Sequence, residues 1–257
     1  MFKLFFTLFI SLHICVLYGK GTPVKVLLTN DTWLKAELLK SDKEGNLTIQ
    51  LDKREQILRR RDFKLVKMAL LPEIVKAEAF LNTGKFGEAQ NLLNALAAAY
   101  NFPTMELKIK LLLARLKIAE NDYKGAVSIL EPLLKYEMVM PQMEAASCAR
   151  GLLLLGNACA KLDLRDNAEK AYRSSFELAV PEYSAVANFK LGEMLLKQKN
   201  VQGALDCFLE NIAVFPPETP GRKHSLEQTI TIYKSNKNKK LKLYEEMLKK
   251  EYPRGLN

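Results

Sequence analysis

Two stretches decide the fold: LGNAC (Leu155–Cys159) followed by AEKAY (Ala168–Tyr172), and LGEML (Leu191–Leu195) followed by ALDCF (Ala204–Phe208). In each, a glycine is followed twelve positions later by an alanine and four positions after that by an aromatic residue. The same spacing, with alanine in place of glycine, occurs earlier as Ala77/Ala89/Leu93 and Ala114/Ala126/Leu130. The second members of the four sets, Ala89, Ala126, Ala168 and Ala204, lie 37, 42 and 36 residues apart. A period in this range marks an array of stacked supersecondary units.

The spacing has a physical meaning. Two helices cross closely where their contact residues are small. Gly or Ala on the first helix and Ala on the second supply that approach, and Leu93, Leu130, Tyr172 and Phe208 are expected to fill the groove toward the next unit. One helix pair cannot bury both of its faces, so the units must stack. The helical period predicts pairs at 72–82 and 86–100, 104–119 and 123–137, 141–161 and 165–179, and 182–198 and 201–214. Pro72, Pro103, Pro141, Pro181 and Pro216 fall near the predicted ends, where a missing N–H does least harm. A last pair, 223–235 and 238–251, follows the breaker-rich Pro216–Gly221 and is rich in lysine, as a terminal unit facing water would be.

These stretches resemble the tetratricopeptide repeat, whose pattern runs W-x2-L-G-x2-Y, then A-x3-F, then P. Leu152 and Asn188 stand at the tryptophan position and Cys159 and Leu195 at the tyrosine position, while Pro181 and Pro216 follow as the pattern requires. The first two repeats keep only the small residues, a turn aromatic (Phe86, Tyr123) and the apolar residue four further on. The resemblance implies a mainly α protein, a right-handed superhelix of helix hairpins with a concave groove lined by the first helix of each pair. Transferred to this sequence, the groove positions are Lys108, Arg115, Arg150, Leu153, Asn157, Lys161, Phe189, Glu193 and Lys197, with apolar Leu111 between. Basic side chains around Asn157 look like the family's carboxylate clamp, so the resemblance implies a protein or acidic-peptide partner held by charge-assisted hydrogen bonds.

Residues 22–69 read differently. Val24–Leu28, Trp33–Lys40 and Leu47–Leu51 are predicted strands, with short apolar runs at Ile57-Leu58 and Phe63–Val66 and a breaker-rich turn at Ser41–Asn46. Four or five short strands in so few residues suggest a small closed barrel, which removes sticky edges. The pattern is similar to SH3-like or Sm-like barrels.

Before them, Lys3 and the apolar run Leu4–Leu17 form a secretory signal, with Gly19 and Gly21 placed for a cut after Gly21. The run is too short to span a bilayer comfortably, and the alternative to cleavage is that it stays as an uncleaved anchor. Processing would remove Lys3 and Lys20, leaving +8 of the +10 net charge, and Cys15, leaving Cys148, Cys159 and Cys207. An odd count cannot fully pair. Cys148 and Cys159 on one helix would stand about 16 Å apart, beyond disulfide reach. The predicted organisation is thus a signal at 1–21, a small β-barrel at 22–69, four hairpins at 70–217 and a capping pair at 218–257.

No enzyme with a mechanism emerges. After processing, the only histidine is His224, in the linker before the last pair, and Gly84-Lys85-Phe86-Gly87 is no phosphate loop. No metal or other cofactor is expected. The reading is an exported, non-enzymatic scaffold of the envelope, similar in layout to periplasmic repeat proteins that assist envelope assembly. The rival reading is a polyanion or nucleic-acid binder using Arg59-Arg60-Arg61 and the lysines at 234, 237, 239, 240 and 242. Nucleic acid fits poorly, because no aromatic residues are interleaved with these clusters for base stacking. An anionic envelope surface is the better polyanion.

Overall fold

The computed structural model describes residues 21–132 and 144–253. The signal segment, the end of the predicted helix at 123–137, and the start of that at 141–161 with Pro141 lie outside them. Two compact units divide the chain, the first reaching Asp122 and the second beginning at Tyr123.

The first unit opens with five strands: β1 (Thr22–Leu28), β2 (Trp33–Ser41), β3 (Leu47–Leu51), β4 (Arg54–Leu58) and β5 (Phe63–Met68). They form one antiparallel sheet in the order β4-β3-β2-β1-β5. The period-two alternation sends Val24, Val26, Leu47 and Ile49 into the core and Lys25, Thr48 and Gln50 to the other face.

The expected closed barrel is not formed. β4 and β5, joined by a 3-10 turn at Arg60–Asp62, are the two separate edges of the sheet. Closure is unnecessary because helices cover the inner face. A single buried cluster joins Val26, Ile49 and Phe63 of the sheet to Leu93 and Leu96, and to Met105 and Ile109, of the helices that follow. Those helices are α1 (Pro72–Asn82), α2 (Phe86–Ala99) and α3 (Pro103–Ala119).

Polar stitching fixes the sheet to the helices. Ser41 Oγ donates to the Ala99 carbonyl at 2.9 Å and accepts from the Asn101 N–H at 2.9 Å. The Asn101 amide donates to the Lys43 carbonyl at 2.7 Å. Gly45, at φ +79°, comes so close that an added Cβ would lie 3.1 Å from the Asn101 carbonyl oxygen.

The second unit contains α4 (Tyr123–Leu130), α5 (Ala145–Lys161), α6 (Arg165–Glu177), α7 (Pro181–Lys197), α8 (Val201–Val214), α9 (Arg222–Ser235) and α10 (Leu241–Glu251). Together these make ten α-helices among the described residues, so the chain is mainly helical. Pro72, Pro103 and Pro181 each stand in the first turn of a helix.

The repeat is written in the backbone more regularly than in the side chains. Gly84, Asn121, Asp163, Lys199 and Lys237 all take left-handed φ values, between 51° and 74°. Each ends a helix with the same 6→1 hydrogen bond: Lys85 to Phe80, Asp122 to Lys117, Leu164 to Cys159, Asn200 to Leu195 and Asn238 to Tyr233, N–H to carbonyl, at 2.8–2.9 Å. The fifth turn makes the capping pair a fifth unit of the same backbone design.

The small residues do what their spacing requires. Ala77, Ala89, Ala114, Ala126, Ala168 and Ala204 are fully buried. A Cβ on Gly156 would lie 2.5 Å from the Tyr172 ring, and one on Gly192 would lie 2.4 Å from the Phe208 ring. The two aromatics therefore seat on the glycine of their own hairpin, where the sequence reading had them filling the groove to the next unit. In the fifth unit the equivalent positions hold Ile230 and Lys242, and α10 accordingly buries no residue.

Candidate functional site

The expected groove positions fall in both units, and each set is described within its own unit. On α3, Lys108 and Arg115 are half-buried and Leu111 is buried. Arg115 already has partners. Its Nη1 donates to Glu78 Oε1 at 2.5 Å and its Nη2 to Asn82 Oδ1 at 3.0 Å, both on α1. The sequence reading missed Glu78 and Asn82. The signal was available: Glu78, Arg115, Asn157 and Glu193 each directly follow the small residue that sets the repeat, so they occupy equivalent places on successive first helices.

On α5, Arg150, Leu153, Asn157 and Lys161 follow one another at three- and four-residue steps and share one face. Phe189, Glu193 and Lys197 do the same on α7, which packs on α5. Asn157 is held by its own hairpin, since Tyr172 Oη donates to its Oδ1 at 2.9 Å. Its Nδ2 has no hydrogen-bond partner among the described residues. Phe189 packs its ring 5.8 Å from Phe208 and 5.6 Å from His224 of α9. Glu193 is neutralised by Lys190, at 2.7 Å, whose ammonium also lies over the Phe189 ring. Lys161 and Lys197 are exposed and form no ion pair among the described residues. The resulting strip has Leu153 as its apolar part, an open amide at Asn157 and two uncompensated cations at the ends of α5 and α7.

Buried polar links hold these helices in place. Ser175 Oγ donates to the Ala149 carbonyl at 2.9 Å, and Ser184 Oγ to the Ser175 carbonyl at 2.7 Å. The Asn188 amide reaches the Cys207 carbonyl at 3.0 Å. The Asn211 amide bridges the Ala185 carbonyl at 2.8 Å and Ser225 Oγ at 2.9 Å. Each pairs a buried polar group that would otherwise cost free energy. They tie α5, α6, α7, α8 and α9 into one register.

Burial pushes the Cys148 and Cys207 thiols up to about 11, and also raises Cys159 and the Tyr172 phenol. All three thiols are free and buried, so at neutral pH they are protonated packing groups. His224 is exposed, with Nδ1 3.1 Å from Glu227 Oε2. No cluster of side chains able to hold a metal ion exists among the described residues.

No protein-family model and no curated protein matches the sequence. The crystal structure of MamA is similar to 69% of this chain and 95% of its own, with a TM-score of 0.52 at 14% identity. The helical fold is tetratricopeptide-like. YrrB, described as a TPR protein with an unusual peptide-binding site, covers 72% of this chain and 88% of its own, with a TM-score of 0.48 and 16% identity. At these identities the likeness concerns the fold alone.

Proposed function

We propose that the protein is an exported, non-enzymatic interaction scaffold of the cell envelope that grips an acidic segment of a partner protein along the face shared by α5 and α7. The observation that carries this reading is the pair of uncompensated ammonium groups, Lys161 and Lys197, on the face that also presents Leu153 and the open amide of Asn157. A carboxylate-bearing segment lying there would gain charge-assisted hydrogen bonds beside an apolar contact, the combination that gives both grip and orientation. Export is supported by the apolar run Leu4–Leu17 behind Lys3. Arg115 takes no part, because Glu78 already occupies it.

Photo-cross-linking side chains placed at 161, 197, 170 and 202 in the native cell test this. Positions 161 and 197 lie on first helices, whereas Lys170 and Gln202 are exposed on second helices. One discrete adduct shared by 161 and 197 and absent from 170 and 202 is the expected result. Once the partner segment is known, Lys161→Glu with Lys197→Glu should weaken its binding at least about ten-fold, since a hydrogen bond to a charged group contributes about 1.5–3 kcal/mol. The same adducts from all four positions, or none from 161 and 197, would remove the reading.

The polyanion reading is separated by salt. Affinity falling linearly and steeply with log salt concentration would favour it, and affinity for a protein partner that persists at moderate salt would not.

A further inference from the structure

The outer face of the sheet carries an arrangement that neither the repeats nor the α5–α7 face explains. Lys25 of β1 stands directly opposite Lys35 of β2 on one side and directly opposite Lys67 of β5 on the other. All three side chains are exposed. Directly paired residues in antiparallel strands have Cα atoms roughly 4.5–5.5 Å apart. Three positive charges therefore form a straight row across three adjacent strands, and like charges directly opposed destabilise a sheet. No carboxylate forms an ion pair with any of the three among the described residues. Glu37, the acidic residue nearest in β2, is registered with Pro23 and Gln50 and not with a lysine. Two places before Lys35 on the same strand, Trp33 is 44% exposed, with the Lys67 ammonium 5.2 Å from its ring centroid. It is the only tryptophan in the sequence.

We propose that this face, Lys35–Lys25–Lys67 with Trp33 beside it, docks on an anionic lipid bilayer. The proposal stands apart from the α5–α7 reading, and either can fail alone. Three features select a lipid surface. The cations stand exposed in a row on a face whose neighbouring Leu27 and Leu65 are buried, and headgroups can rearrange beneath a fixed row of charges in a way that a folded partner cannot. A peptide captured by a sheet adds along an edge through its backbone, whereas these lysines lie on the face of the interior strand β1 and its two neighbours. A single-stranded nucleic acid requires several stacking aromatics along its path, and here there is one. A lone half-exposed tryptophan beside lysines has instead the amphipathic character of a residue at the membrane–water boundary.

Each lysine near an anionic surface strengthens binding several-fold, so three together give roughly a hundred-fold preference over a neutral surface.

Trp33 is the reporter. The full chain is titrated with phosphatidylcholine vesicles, with and without phosphatidylglycerol, and Trp33 emission is followed alongside quenching by bromine-labelled acyl chains. The expected result is a shift to shorter wavelength with quenching on the anionic vesicles, roughly a hundred-fold tighter than on the neutral ones and reversed by high salt. The Lys25→Gln, Lys35→Gln, Lys67→Gln chain should lose that preference while unfolding at a temperature no lower than the parent, because it sheds like-charge pairs. Equal response on both vesicle types would mean that the apolar run alone binds, and would overturn the proposal. So would an undiminished anionic preference in the triple variant, or the same shift given by polyglutamate or oligothymidylate at lower concentration.

Discussion

Phe208→Ala will lower the stability of the second unit by about 3–5 kcal/mol, the range for deleting a buried phenyl group. The upper part of that range applies because the cavity has no side chain to fill it. Phe208 is fully buried, and one wall of its site is the bare backbone of Gly192, which would place a Cβ only 2.4 Å from the ring. The opposite contact, Phe189, is itself pinned against His224 and cannot swing across without exposing that edge. Urea unfolding followed by far-ultraviolet circular dichroism measures the loss. A cost below about 1 kcal/mol would mean that the α7–α8 interface can collapse, and that Gly192 is not there to admit the ring.

Arg222→Met will undock α10. Arg222 is 5% exposed, at the head of α9. Its guanidinium donates from Nε and Nη2 to the Ile212 carbonyl at 3.3 and 3.2 Å, and holds Glu251 at the far end of α10 through both carboxylate oxygens. α10 buries no residue fully, so this ion pair, the Tyr233–Tyr244 ring contact and the Tyr252 hydroxyl on the Pro217 carbonyl add to the packing of its half-buried Leu241, Tyr244, Met247 and Leu248. Removing one partner of a buried pair costs about 3–5 kcal/mol, because the other is left uncompensated. Here α10 can release Glu251 to water before the full cost is reached, so local opening is the cheaper response. Amide hydrogen exchange across Leu241–Glu251 should therefore accelerate by orders of magnitude while α5 to α8 stay protected. Arg222→Met combined with Glu251→Met should restore much of the protection, since an apolar pair can replace a buried ion pair at little cost. Unchanged exchange in the single variant would show that α10 is held by other contacts.

The helices were legible because their signal is local. The twelve-residue spacing from small residue to alanine recurs where two helices of one hairpin touch, and the hairpins it predicts match α1 with α2 and α5 to α8 within a few residues. The fifth unit gave no such signal, because Ile230 and Lys242 replace the small residues. Its kinship lies in the backbone at Lys237, and a lysine in a left-handed turn leaves no mark in a side-chain pattern. The strands were legible from their alternation. Their failure to close was not, because alternation shows that one face is buried without saying what buries it. Here that role falls to α1, α2 and α3. Positions on the first helices were legible from the repeat register, but their ion pairing was not. Arg115 and Lys197 look alike in sequence, and only the neighbouring helix shows that one is already bound to Glu78 and the other is not.

The central physical claim is that missing side-chain bulk on the first helix of a hairpin is matched to the aromatic ring on the second. A double-mutant cycle at positions 192 and 208 measures it directly. Gly192→Val alone should cost about 1–3 kcal/mol through overpacking against the ring. In the Phe208→Ala chain the valine enters the space the ring has left, so the two changes together should cost less than their sum by at least about 1 kcal/mol. Costs that add to within about 0.5 kcal/mol would mean that the glycine and the ring do not share one space, and would contradict the account of how these hairpins close.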